Sequence, residues 1–243
     1  MHVPDGFLDV PTSVATGAVA VAGVALALRG ARRELDDRTV PMTGLVAAFV
    51  FATQMLNFPV GAGTSGHLLG GALAAILVGP WTGILCLSVV LIVQSLLFAD
   101  GGITALGTNI TLMGLVAVLA GWLVFRGLQA VLPKRVGLVP VLAGVAAFVS
   151  VPVSALAFVG LYAVGGQAPV PLDALTATML GVHLVIGVGE AAITFLVVGS
   201  VVAVRPDLVY GARRVVAGRT LEVRTPNPAS TATAATTTPG ASA

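Results

Sequence analysis

Three histidines (His2, His67 and His183) and one glutamate set in apolar sequence, Glu190, are the residues of this 243-residue chain whose types and surroundings could do chemistry. The opening MHVPDGF is the most informative of these surroundings. A chain that begins Met1-His2 presents an α-amine, the His2 main-chain amide and the His2 imidazole in succession. A metal bound by the amine and the amide closes a five-membered ring, and one bound by the amide and Nδ1 closes a six-membered ring. Three nitrogens then lie in one plane with one in-plane position open. That tetragonal, all-nitrogen arrangement suits Ni(II) or Cu(II), and Co(II), better than Zn(II) or Mg(II). The plainer alternative is a solvated histidine, because histidine serves many ends.

The stretch NFPVGAGTSGHLLGG, Asn57 to Gly71, carries His67. Gly66 and Gly70 have the G-x-x-x-G spacing that lets another backbone approach closely, so a loop or terminus packed there could reach the imidazole. Asn57 and Ser65 are polar neighbours that could support it, and a histidine hydrogen-bonded near a helix end is the competing reading. In GVHLVIGVGE, His183 and Glu190 are seven apart, so on a helix they share a face. An unpaired carboxylate deep in a membrane costs about 2.5–3.5 kcal/mol, which turns Glu190 towards a protein interior, for transport or for a structural hydrogen bond. Asp5 reads as a turn former, and Gln54, Gln94 and Asn109 as polar groups that bind helices together or orient a ligand loop.

The elements that position these residues belong to a bilayer. Hydrophobic residues make up 57% of the chain and charged ones only 9%, against about 25% in a typical soluble domain. Mean hydropathy is +1.03. So few charges cannot cover a water-facing surface, which excludes a soluble enzyme, a nucleic-acid binder and a disordered chain. The single Cys86 excludes a disulfide framework. Lys134, the sole lysine, precedes Arg135, so no phosphate-binding G-x-x-x-x-G-K-[ST] loop exists and the chain is no ATPase; H-E-x-x-H and G-x-S-x-G are absent too.

A span needs about 20 apolar residues, and seven segments qualify, at about 11–28, 40–58, 65–79, 81–98, 103–125, 138–164 and 174–204. Gly79-Pro80 divides the third from the fourth, and Pro152 is expected to kink the sixth. All 12 basic residues follow the first, fifth or seventh span. The positive-inside rule therefore places the N-terminus outside and the C-terminus in the cytoplasm. No basic stretch precedes the first span, which argues against a cleaved signal peptide. The expectation is an all-α polytopic membrane protein with seven transmembrane helices. Residues 1–10 form an N-terminal metal-binding segment, 11–204 the membrane domain and 205–243 a cytoplasmic tail, disordered from about 225, where Thr, Ala and Pro dominate.

MHVPDGFLD, NFPV with GTSGHLLGG, FADGGITALGTNITLMG and HLVIGVGEAAIT, in this order, resemble the CbiM/NikM family. These are the substrate-capturing S components of energy-coupling-factor (ECF) importers for cobalt and nickel. The resemblance implies a metal held by the Met1 amine, the His2 amide nitrogen and imidazole, and the His67 imidazole. It also implies partners: a transmembrane coupling protein, two cytoplasmic ATPase subunits and a small accessory membrane protein of the CbiN/NikN type. The reading that follows is capture of cobalt at the outer face of the cell membrane for cobalamin synthesis. Nickel is the alternative substrate. A different class, a proton-coupled secondary transporter, would use His183 and Glu190 as a relay.

Overall fold

The computed structural model describes residues 2–37, 39–56, 58–61 and 64–217. Helix α1, Val10–Ala31, begins at Asp9, whose carboxylate accepts the Thr12 amide at 2.8 Å, and Pro11 occupies its first turn, where a missing N–H costs little. Helix α2 is Val40–Gln54, followed by a small antiparallel hairpin, β1 Phe58–Gly61 and β2 Thr64–Gly66. Then come α3, Gly71–Val78, and α4, Pro80–Leu97. Helix α5, Leu106–Val131, includes a π-helical stretch at Ile110–Val116. Helices α6, Val139–Gly165, and α7, Leu172–Val204, form the most extensive helix pair, and a short α8, Arg213–Val216, ends the described chain.

Five of these segments are long and apolar enough to cross a membrane: α1, α4, α5, α6 with the turn before it, and α7. With their apolar outer surfaces they make a multi-pass membrane protein. The other two apolar segments differ from expectation. Helix α2 has 15 residues and stops at Gln54 rather than near residue 58, where the hairpin begins. The segment read as 65–79 is helical only over the eight residues of α3, which rise about 12 Å, too little for a span. Glycine accounts for the shortfall. Gly70 has φ +73°, a left-handed conformation that starts no earlier turn, so the chain enters α3 from irregular backbone.

Every residue of α3 is buried, packed among α2, α4, α5, α6 and α7. Its alanines let other helices come close: a Cβ on Gly121 of α5 would lie 2.5 Å from that of Ala72. Irregular backbone at membrane depth is tolerated only where protein surrounds it, and the 66–70 stretch meets that condition. Two contiguous apolar clusters result. One surrounds α3 and the end bearing the basic residues, and the other gathers Val3, Phe7 and Leu8 with the opposite ends of α5, α6 and α7. Helix α6 continues through Pro152 without a break.

Candidate metal-binding site

The N-terminal segment is folded back onto the bundle. The Val3 amide donates to Asn109 Oδ1 at 2.8 Å, Asn109 Nδ2 donates to the Val3 carbonyl at 3.2 Å, and the Gly102 amide donates to the same carbonyl at 3.0 Å. Asp5 accepts the Thr104 amide and hydroxyl, hydrogen bonds that hold its carboxyl below the usual range. Phe7 stacks on Phe158, with ring centroids 5.6 Å apart, and leans on Tyr162. The Gln167 amide donates to the Phe7 carbonyl and the Asp9 amide to Gly165, fastening the segment to the end of α6. The FADGG loop makes this docking possible. Gly101 has φ +90°, and a side chain on Gly102 would overlap both the carboxylate and the amide nitrogen of Asp5.

His67 meets this segment from the other side. It is fully buried, and its Nδ1 lies 2.8 Å from the Leu68 carbonyl, an acceptor only, so Nδ1 carries the proton. Nε2 then bears a lone pair, and it has no hydrogen-bond partner among the described residues. The His2 and His67 rings lie 4.5 Å apart, tilted by 30°. His2 Nε2 is 3.4 Å from Asp100 Oδ2, and burial pushes the His2 imidazole down to about 3, so the ring is neutral at physiological pH. Two residues 65 positions apart in sequence thus become neighbours beside a carboxylate. A cavity of about 330 Å³ at this point is lined by His2, Pro4, Asp5 and Asp100.

Glu190 does not face the imidazoles with a free carboxylate. Oε2 accepts the Leu69 amide at 2.7 Å and Oε1 the Gly70 amide at 2.8 Å, so α7 caps the start of α3 with a buried anion. Gln54 Nε2 donates to the Leu69 carbonyl at 2.6 Å from the opposite side. The loop bearing His67 is therefore clamped immediately after the imidazole. His183 is buried on α7, its Nδ1 bonded to the Met179 carbonyl one turn back and its Nε2 without a partner among the described residues. Gln94 is buried, with its amide unpartnered among the described residues. Met1 and Asn57 lie outside the described residues, as does the side chain of Ser65.

No group of three or more His, Cys, Asp or Glu side chains able to hold a metal gathers among the described residues. Two supports carried no clear sequence signal. Asp100 and Thr104 lie in FADGGITALGTNITLMG, but no spacing or residue pattern within it marks either one. The glycine pair at 101–102 was the available hint, since adjacent glycines mark a close backbone approach.

Residues 2–208 match the family described as the cobalt uptake substrate-specific transmembrane region. The chain belongs to the CbiM family. Among curated relatives, it is 39% identical over 210 residues to a Haloquadratum walsbyi protein named as a metal transport protein, covering 86% of this chain and 94% of the relative. It is 37% identical over 217 residues to an Archaeoglobus fulgidus protein named as a fused nickel transport protein NikMN, covering 86% of this chain and 68% of that one. A crystal structure of a truncated transition metal transporter superposes with a TM-score of 0.76 at 31% identity, covering 84% of this chain and 99% of that one. The four motifs carrying the CbiM resemblance adjoin one another in space: the N-terminal segment meets the His67 ring and Asn109 at the start of α5, and the Glu190 helix holds the His67 loop at Leu69 and Gly70.

Proposed function

We propose that this CbiM-family protein captures cobalt(2+), or alternatively nickel(2+), in an all-nitrogen site at the outer face of the cell membrane. The site is built from the Met1 amine, the His2 amide nitrogen and imidazole, and the His67 imidazole. One observation carries the reading: a neutral, buried pair of imidazoles 4.5 Å apart, with the His67 Nε2 lone pair left unpartnered. Covalent geometry makes Nδ1 of His2 the nitrogen that closes a six-membered ring with its own amide, and Asp100 lies on the Nε2 side of the imidazole. Asp5 and Asp100 give the cavity at this end two carboxylates, favourable for an entering cation.

The chain is the capture unit of an ATP-driven importer, with seven membrane-embedded helical segments, its N-terminus outside and its basic loops and C-terminal segment in the cytoplasm. A coupling protein, two ATPase subunits and an accessory subunit like the NikN part of the fused relatives complete the assembly. Helix α1 offers the coupling protein an exposed stripe of small residues including Ala18 and Ala22. Imported cobalt serves cobalamin synthesis.

Calorimetry of the full chain in detergent with Co(2+) and Ni(2+) tests the site. Binding of one ion per chain is expected. One Ala inserted between Met1 and His2 should abolish it by changing the ring sizes, and His67→Ala should weaken it strongly. His183→Ala should cost less; an equal loss would make His183 a ligand. Unchanged affinity in the insertion variant would overturn the chelate.

A further inference from the structure

At the end of the bundle opposite the histidines, a cavity of about 260 Å³ lies between the end of α5 and α8, lined by Arg126, Gln129, Lys134 and Arg214. We propose that it binds the phosphate of an acidic phospholipid. The site is built rather than incidental. Arg126, half-buried, lies 5.6 Å from the centre of the Trp122 ring and donates to Gln129 Oε1 at 2.8 Å. Gln129 in turn donates to the Gly211 carbonyl at 2.9 Å, tying α5 to the segment that delivers Arg214. Trp122 is stacked on Phe125 and braced by Tyr210. The guanidinium is therefore held in place, with one hydrogen bond to a side chain among the described residues.

Two arginines near this cavity are charge-compensated, whereas the cations that line it are not, among the described residues. Arg205 pairs with Asp207 at 2.8 Å and Arg213 with Asp36 at 3.2 Å. Arg126, Lys134 and Arg214 have no carboxylate partner among the described residues. Three cations converging on one cavity repel each other until an anion enters. The surrounding surface selects the kind of anion. Leu123 is 68% exposed and sits one helical turn from Arg126 towards the membrane. A phosphodiester between these cations would lay its acyl chains along that apolar face. Basic pockets between membrane helices hold acidic headgroups by this combination of charges beside apolar surface.

Native mass spectrometry of the full chain in micelles containing dioleoylphosphatidylglycerol or dioleoylphosphatidylcholine tests the assignment. The phosphatidylglycerol complex is expected to persist preferentially. In K134Q/R214Q it should weaken roughly 30-fold, from two lost charges at the headgroup. The charge-matched variant R29Q/R33Q, altered at the same end but away from the cavity, should retain it, and sn-glycerol 1-phosphate should not displace it. Equal retention of both lipids, or equal loss in the two variants, would overturn the site. Displacement by glycerol phosphate would overturn the lipid assignment in favour of a soluble phosphate.

Discussion

Glu190 shows how one buried carboxylate can serve a site without touching what the site binds. Its two oxygens accept the amides of Leu69 and Gly70, two and three residues beyond His67. The same carboxylate satisfies N–H groups that the start of α3 would otherwise leave orphaned, and its charge complements the positive end of that helix. Glu190→Gln keeps one acceptor but turns an NH₂ group towards a main-chain N–H. Loss of about 1–3 kcal/mol is expected, with weakened metal binding as the His67 loop shifts. Thermal unfolding and metal titration of the variant measure both effects. An unshifted melting temperature would show that the cap is dispensable.

Among the elements, the FADGG loop and the α1–α2 turn perform parallel tasks at opposite ends. At the first, Gly102 lies where a Cβ would overlap Asp5, so Gly102→Ala must push the N-terminal segment away. Metal affinity should fall while the helix signal in circular dichroism is unchanged, because Gly102 lies outside the helices. At the other end, Glu34 accepts the Thr82 amide at 2.7 Å and hydroxyl at 2.9 Å and the Trp81 amide at 3.2 Å, capping α4 where Gly79-Pro80 breaks the chain. Burial raises the Glu34 carboxyl above its ordinary 4.5, outweighing those hydrogen bonds and Arg213. A carboxyl whose folded value is raised contributes stability that is fully present below 4.5 and lost as pH rises through the raised value. Unfolding midpoints of the wild type should therefore fall relative to Glu34→Gln as pH increases across that window. Parallel curves would remove Glu34 as the source.

For the whole molecule, the question is what moves the ion. The imidazole pair lies at one end of the bundle and α3 fills the centre without crossing it, and under the proposed function reorientation comes from partners. The full chain reconstituted alone in vesicles should move no cobalt or nickel under a proton gradient. Uptake by the isolated chain would favour the secondary-transporter alternative, in which His183 and Glu190 relay protons. The clamp that Glu190 makes on the Leu69 and Gly70 amides already engages both of its oxygens.

The membrane class, the long helices and the separation of basic residues were legible in the sequence, because twenty apolar residues in a row and the distribution of arginine obey local rules that need no folding partner. The proposed chelate could be stated from sequence too, since the ring sizes that Met1 and His2 offer a metal are set by covalent bonds. The short α3 was not, because an apolar run of glycine and alanine reads alike in a span and in a buried half-helix. The tertiary structure alone decided that Glu190 caps α3, that Asp100 faces His2, and that Asn109 holds Val3, 106 residues away. Each of these joins groups far apart in the chain, and a hydrogen bond between distant residues leaves no periodicity in sequence. It exists only after helices whose own signals are local have brought their ends together.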